Sequence, residues 1–296
     1  MAKLDPQAVL ESFKTAFPAR FHKNICVVGS LAAAYHFRMK LESFVVNTKD
    51  ADLVLNTAGD SETCKELARH LRKNGWTHRY PAEKPPAPNS DNPENLPFIR
   101  LYPPDNQDFF IEFLGLPAKD QSPEKVITPI QLSDGWFAVP RFRFMGPTAF
   151  DLQTSTQGIP YAAPWMMALA NLLSHPILKP EVMSSKIAGR DIWRCSKDLG
   201  RVLTLAWLSD RRDLERWAPA WTAGTKDSFP KTWREVIPRA RQALTAVLGN
   251  AQCMEQAHHT AANGLLAGKN ITEENLRAVG EQLVADVLRP YSQSVN

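Results

Sequence analysis

The apolar positions in the first part of the chain alternate between strand-like and helix-like spacing. Residues 25–29 (ICVVG) form a short apolar run that ends in a small residue, which predicts a buried strand. Residues 30–37 follow with a helical pattern, and residues 52–55 predict a second strand. Asp60 is a candidate N-cap for a helix that passes through Leu71 and stops at Gly75.

Two further stretches complete the pattern of the first half. Residues 98–102 and 108–114 flank the turn sequence PPDNQ and predict an antiparallel hairpin. Residues 81–97 contain six prolines, which excludes regular structure. A plain surface loop is the favoured interpretation of this stretch, and a lid near the substrate is the alternative.

Strand patterns disappear after about residue 162 and helical patterns replace them. We expect Pro238 to bend or break one of these helices and Thr272 to cap the last one. The predicted helices span residues 163–174, 181–208, 232–249, 251–264 and 273–288. The chain is therefore predicted to be α+β, with a small mixed sheet flanked by helices in residues 1–145 and a helical domain in residues 146–296.

Composition narrows the class of protein without identifying it. The 296 residues are 44% hydrophobic and 22% charged, and a net charge of +4 permits an anionic substrate without requiring nucleic acid. The scattered cysteines, without paired histidines, disfavour a zinc site or a disulfide framework. No stretch approaches the roughly 20 apolar residues of a membrane span, and the N-terminus lacks a signal-peptide pattern. We expect a cytoplasmic protein without a membrane partner.

The segment Asp50-Ala51-Asp52 carries the first candidate chemistry. Residues i and i+2 of a strand point to the same face, so the two carboxylates lie side by side. At about 4 Å and an effective dielectric constant near 20, their repulsion costs roughly 4 kcal/mol. A divalent cation such as Mg²⁺ removes that repulsion. For this short motif alone, two aspartates at a solvated strand end remain the favoured interpretation.

Two neighbouring features strengthen the metal interpretation. Gly29 and Ser30 begin a predicted helix, where free backbone N–H groups and the helix dipole favour a phosphate. Glu112 lies in the apolar run FFIEFL, where a carboxylate is costly to bury unless it meets a cation or hydrogen-bond donors.

The Gly-Ser turn, the later DxD strand and a third acidic residue on another strand together resemble the nucleotidyltransferase superfamily, whose fold includes the polymerase-β palm. The stretch TKDADL (residues 48–53) is similar to the corresponding stretch of AbiEii-type bacterial nucleotidyltransferases, which include abortive-infection toxins. The resemblance implies that Gly29 and Ser30 bind the triphosphate. It makes Asp50, Asp52 and Glu112 catalytic residues that hold Mg²⁺ or Mn²⁺.

An alternative stays open because the chain differs from the family pattern in two places. Nineteen residues separate Ser30 from Asp50, and Val46 and Asn47 stand where relatives often have an arginine. These differences favour a catalytically degenerate module that senses nucleotides or binds a partner.

The helical half provides a second candidate site. On the predicted helix, Lys186, Arg190, Arg194, Lys197 and Arg201 recur at spacings of four, four, three and four, which predicts one basic face. A salt-bridged surface is an equal alternative, because Asp191 and Asp198 precede two of these arginines by three residues. The resemblance implies that Lys186, Arg190 and Lys197 bind phosphate and that Asp198 is an additional acid or base.

Charge in the same region bears on the acceptor. Residues 186–241 hold thirteen Lys or Arg against seven Asp or Glu, a surface suited to RNA such as a tRNA end. A small-molecule hydroxyl or a protein side chain is the alternative acceptor. The sequence thus predicts a metal-dependent enzyme that moves a nucleoside monophosphate from an NTP to an acceptor hydroxyl, and the toxin-type resemblance adds an antitoxin as a candidate partner.

Overall fold

The computed structural model describes residues 3–42, 46–55, 61–178 and 181–293. The chain divides into two compact units. The first unit comprises Met1–Tyr35 and Val45–Ala162, and the second comprises His36–Phe44 and Ala163–Asn296. The first contains a mixed sheet with helices and the second is helical, so the predicted α+β class is confirmed.

The first unit is built on eleven strands in the described residues. In chain order they are β1 (Lys3–Leu4), β2 (Ile25–Val28), β3 (Val46–Asn47), β4 (Asp50–Leu55), β5 (Thr77–His78), β6 (Arg100–Tyr102), β7 (Phe110–Gly115), β8 (Lys125–Leu132), β9 (Gly135–Phe142), β10 (Gln153–Thr154) and β11 (Pro160–Tyr161). Its helices are α1 (Pro6–Ala16), α2 (Gly29–His36, whose last residue belongs to the second unit) and α3 (Ser61–Lys73).

Seven of these strands form the main sheet, in the order β10-β11-β2-β4-β7-β6-β5. The two pairs β11–β2 and β4–β7 are parallel and the other pairs are antiparallel. Because β10 and β11 belong to this sheet, residues beyond the predicted boundary at 145 pair with strands of the first unit. Strands β1 and β3 pair separately, as do β8 and β9.

One face of the main sheet supplies the core of this unit. Ala51, Leu53, Ile111, Phe113 and Leu101 alternate along β4, β7 and β6 and are completely buried. Their neighbours in sequence point to the other face and are more accessible at the beginning of β4 and β7. The alternation therefore exposes polar side chains at one end of an otherwise apolar sheet.

Most sequence predictions for this unit agree with the structure. The predicted strands at residues 25–29 and 52–55, the helices that follow them and the β6–β7 hairpin all form. Residues 81–97 contain no strand and are mostly exposed, but regular structure is not wholly excluded there, because Pro93–Asn95 form a 3₁₀ turn. The proposed N-cap Asp60 lies outside the described residues. The β8–β9 hairpin was not predicted, because Pro129 and Pro140 lie within its strands and proline is disfavoured there.

The second unit packs its helices around aromatic side chains. Trp217 and Trp221 are completely buried, and the Trp221 ring lies 5.6 Å from that of Tyr291. Thr272 caps one helix through a capping box, as predicted. The helices are α4 (Pro164–Ser174), α5 (Arg194–Leu208), α6 (Arg211–Ser228), α7 (Trp233–Gly249), α8 (Ala251–Ala262), α9 (Glu273–Leu283) and α10 (Arg289–Gln293), with a π-helical turn at Val284–Leu288.

One helix predicted for this unit begins later than expected, and one helix was missed. The helix predicted for residues 181–208 begins only at Arg194, because Ala188 and Gly189 have φ values of 45° and 83° and close a turn from Ile187 to Arg190. Helix α6 was not predicted, although it forms with Pro219 inside it. Helix α7 continues through Pro238.

Within the described ranges, no helix is both long enough and apolar enough to span a bilayer.

Candidate functional site

The pairing of three strands gathers the predicted acidic residues at one end of the main sheet. Asp52 lies opposite Val28 of β2, the residue just before Gly29, and beside Glu112 of β7. Asp50 lies two residues earlier on β4, beside Phe110. Residues i and i+2, and residues in register on neighbouring strands, share a face. Both aspartates and Glu112 therefore project from the same end and face of the sheet.

The turn from β2 into α2 comes very close to Asp52. Gly29 has a φ of 74°, a backbone conformation that residues other than glycine rarely adopt. A Cβ placed there would lie 2.8 Å from Oδ2 of Asp52. The Asp52 carboxylate thus adjoins the beginning of a helix, whose dipole favours negative charge. A phosphate bound at the same helix end would meet this carboxylate and repel it unless a cation lay between them.

The second aspartate is held by a neighbouring hydroxyl. The Thr48 side chain is buried and hydrogen-bonds Oδ1 of Asp50, while the Asp50 backbone N–H donates to Oγ1 of Thr48 at 3.4 Å. Asp50 itself is exposed. The threonine of the TKDADL stretch therefore fixes the orientation of an accessible carboxylate.

Glu112 has a partner that sequence analysis missed. Its largely buried carboxylate forms an ion pair with Arg100, the residue opposite it across the β6–β7 hairpin. Burial raises the pKa of Glu112, the charge and hydrogen bond of Arg100 lower it, and the charge of Asp50 raises it again, with a net upward shift. Applying cross-strand pairing to the predicted hairpin would have identified Arg100.

The chemistry of these side chains suits a hard divalent cation. Carboxylate oxygens are the ligands that Mg²⁺ prefers in proteins, and Mn²⁺ accepts the same donors. Asp50 and Asp52 would supply them, with Glu112 beside Asp52. Across the residues that the structure describes, no three His, Cys, Asp or Glu side chains already converge as a metal site. The ion pair with Arg100 directs Glu112 toward the arginine.

The predicted basic face of residues 186–201 does not form, because residues 186–193 precede the helix. Lys186 lies 3.6 Å from Asp191, and Arg190 lies 2.5 Å from Glu255 on α8. Arg194 lies 3.5 Å from Glu181. These cations therefore match the salt-bridged alternative. The predicted phosphate-binding roles of Lys186, Arg190 and Lys197 stay predictions.

Lys197 and Asp198 belong to a different cluster, at the beginning of α5. Oδ2 of Asp198 lies 2.9 Å from Nε2 of His175, and Oδ1 lies 3.7 Å from both Lys197 and Arg201. Burial raises the pKa of Asp198, but the hydrogen bond with His175 and the two cations outweigh it and lower the pKa to about 2. Such a carboxylate accepts a proton poorly at neutral pH. Its contact with Nε2 of His175 suits a carboxylate that orients this histidine. The role of Asp198 as an additional acid or base stays a prediction.

Comparison of the sequence with protein-family models, and with curated proteins, finds no match.

Proposed function

We propose that this chain is a metal-dependent nucleotidyltransferase, which transfers a nucleoside monophosphate from an NTP to an acceptor hydroxyl. One observation carries the proposal: strands β2, β4 and β7 are paired so that the Gly29 turn, Asp50, Asp52 and Glu112 lie at the same end of the sheet. A helix N-terminus that favours phosphate beside carboxylates that favour a cation is the combination that a metal–triphosphate requires.

Each residue has a physical role in this proposal. Gly29 lets the backbone turn close to Asp52, and the N–H groups that begin α2 at Gly29 and Ser30 bind the triphosphate. Asp50, oriented by Thr48, and Asp52 hold the cation. A bound Mg²⁺ would neutralise phosphate charge and lower the pKa of the acceptor hydroxyl. Arg100 partly neutralises Glu112, which adjoins Asp52.

The proposed transfer is a displacement at the α-phosphorus, in which one bond to oxygen forms and another breaks. The acceptor oxygen forms a bond to this phosphorus, and the bond from phosphorus to the oxygen bridging the β-phosphate breaks. Pyrophosphate leaves with that electron pair, and the hydroxyl proton passes to solvent. Attacking and leaving oxygens lie roughly in line in such reactions.

The Arg100–Glu112 ion pair favours a second candidate function. The Arg100 guanidinium forms an ion pair with Glu112, the third carboxylate, and supplies positive charge where a further cation would otherwise bind. The chain would then bind an NTP through one cation without transferring it, as in a nucleotide-sensing module. Metal-dependent NTP binding without release of pyrophosphate would select this candidate.

The experiment is incubation of the protein with each α-phosphate-labelled NTP and Mg²⁺ or Mn²⁺, over total RNA, tRNA, proteins and metabolites. We expect labelled product with the wild type and none with Asp50→Asn, which keeps the size of the side chain but removes its charge. Asp286→Asn is the matched control, because Asp286 is an exposed aspartate of the second unit and has no role in the proposed site. Equal labelling by Asp50→Asn and wild type would refute the site assignment. An RNA or tRNA acceptor and an antitoxin partner stay predictions.

A further inference from the structure

A strip of two aromatic rings flanked by two arginines lies next to the acidic residues on the same face of the sheet. It consists of Arg100 and Tyr102 on β6, Phe110 on β7 and Arg79 just after β5, and is called the arginine–aromatic strip below. Tyr102 pairs with Thr77 on one side, and Phe110 pairs with Asp50 on the other. The strip therefore continues the row of in-register residues that begins at Asp50.

Each side chain of the arginine–aromatic strip contacts the next one in space. The Tyr102 and Phe110 rings lie 5.2 Å apart. The guanidinium of Arg79 lies 4.5 Å from the centre of the Tyr102 ring, and that of Arg100 lies 5.2 Å from the centre of the Phe110 ring. Arg100 in turn pairs with Glu112. The contacts thus run from Arg79 through the Tyr102 and Phe110 rings to Arg100 and end at Glu112, with both rings between the two guanidinium groups.

The strip is accessible although it lies on the main sheet. The opposite face of the same strands is fully buried, as Leu101 and Ile111 show. Arg79 is exposed and Arg100, Tyr102 and Phe110 are half-buried. Half-buried rings beside arginines on a sheet are suited to stack nucleobases while the guanidinium groups bind phosphates.

The position of the strip relates it to the reaction. The triphosphate turn lies on the β2 side of Asp50 and Asp52, and the strip lies on the β7 side. Pyrophosphate and the attacking hydroxyl lie on opposite sides of the α-phosphorus in an in-line displacement. If the triphosphate occupies the β2 side, the acceptor approaches over β7 and β6.

We propose that the arginine–aromatic strip binds the single-stranded end of a nucleic-acid acceptor and presents its terminal hydroxyl to the acidic site. This inference rests on the proposed function and names the acceptor class. From β7 to β5 the strip spans roughly 10 Å, about twice the spacing between strands. Two adjacent rings flanked by two guanidinium groups over this length suit neighbouring bases and the phosphates beside them in a single strand better than an isolated hydroxyl group.

Binding is measured by fluorescence anisotropy of short labelled RNA and DNA strands of one sequence, with EDTA and without NTP. Without metal or NTP, binding does not depend on catalysis. We expect Tyr102→Ala to bind the preferred strand about 5- to 150-fold more weakly, the cost of losing one stacked base. Tyr102→Phe keeps the ring and is expected to stay within about twofold of the wild type. Whether RNA, DNA or both show this loss identifies the strand that the strip accepts.

Arg79→Gln provides a test that does not depend on folding of the sheet, because Arg79 is exposed. Loss of one phosphate contact should reduce the slope of log affinity against log salt by about 0.7. Lys14→Gln on α1 removes one exposed charge away from the strip and should leave the slope unchanged.

The outcomes separate this inference from the proposed function. Unchanged strand binding in both Tyr102→Ala and Arg79→Gln, or no strand binding by the wild type, overturns the inference. Loss of NTP binding by Tyr102→Ala with strand binding intact also overturns it, since the ring would then hold the base of the NTP. Strand binding that depends on Tyr102 in a protein that transfers no label shows that the strip binds a strand, but it refutes the transferase and with it the presentation of an acceptor hydroxyl. Label transfer that persists with unchanged strand binding refutes the inference alone.

Discussion

Substitution of Gly29 by alanine tests the close approach of the Asp52 carboxylate to the Gly29 backbone. The new methyl group would meet two separate obstacles. The backbone there has a φ of 74°, which an L-residue adopts only with strain, and the Cβ would lie 2.8 Å from Oδ2 of Asp52. Gly158 provides a matched control, because its φ is 79° and nothing lies within 4 Å of a Cβ placed there.

The magnitudes of the two obstacles can be separated. Left-handed backbone costs a non-glycine residue roughly 1–2 kcal/mol, and both variants share this cost. The collision falls only on Gly29→Ala. Rotation of the Asp52 carboxylate away from its preferred rotamer relieves it, at about 0.5–1.5 kcal/mol. We expect Gly158→Ala to lose roughly 1–2 kcal/mol of unfolding free energy and Gly29→Ala to lose roughly 0.5–1.5 kcal/mol more.

Urea denaturation of both variants measures these stabilities, and Mn²⁺ titration followed by electron paramagnetic resonance measures metal binding. Displacement of Asp52 should weaken Mn²⁺ binding in Gly29→Ala but not in Gly158→Ala. The double variant Gly29→Ala/Asp52→Ala tests the cause, because removing the carboxylate should cancel the extra destabilisation. Equal stability and equal Mn²⁺ affinity of Gly29→Ala and Gly158→Ala would refute the close approach and its role in the site.

Two predictions concern pH. Burial raises the folded-state pKa of Glu112, although the charge of Arg100 opposes the shift. The contribution of Glu112 to wild-type stability should therefore fall as pH rises from the ordinary glutamate pKa to the raised folded-state pKa. Urea denaturation across that window should show the fall in the wild type and not in Glu112→Gln, and parallel profiles would contradict it. Asp198, whose pKa is lowered to about 2, should contribute about 2 kcal/mol at neutral pH. That stability should be lost as pH falls from about 4 to about 2, and an Asp198→Asn variant that keeps the wild-type acid profile would show that the ion cluster contributes nothing.

Local patterns identified the elements that carry the candidate site. The apolar run of β2, the small residues of α2 and the alternation around Glu112 depend on neighbouring residues, so their spacing was sufficient to predict them. The helix predicted for residues 181–193 does not form, and the reason is also local. A helical spacing of charges does not outweigh the turn at Ala188 and Gly189, whose positive φ values interrupt any helix.

Strand partners are decided by contacts between distant parts of the chain. The sequence alone specified two aspartates on one face of β4 and a glycine at the beginning of α2, because both depend on residue spacing. Only the tertiary structure placed Glu112 beside Asp52 and the aromatic rings beside Asp50. Sheet order and register follow from which apolar faces pack together across the whole unit, which no short stretch of sequence records.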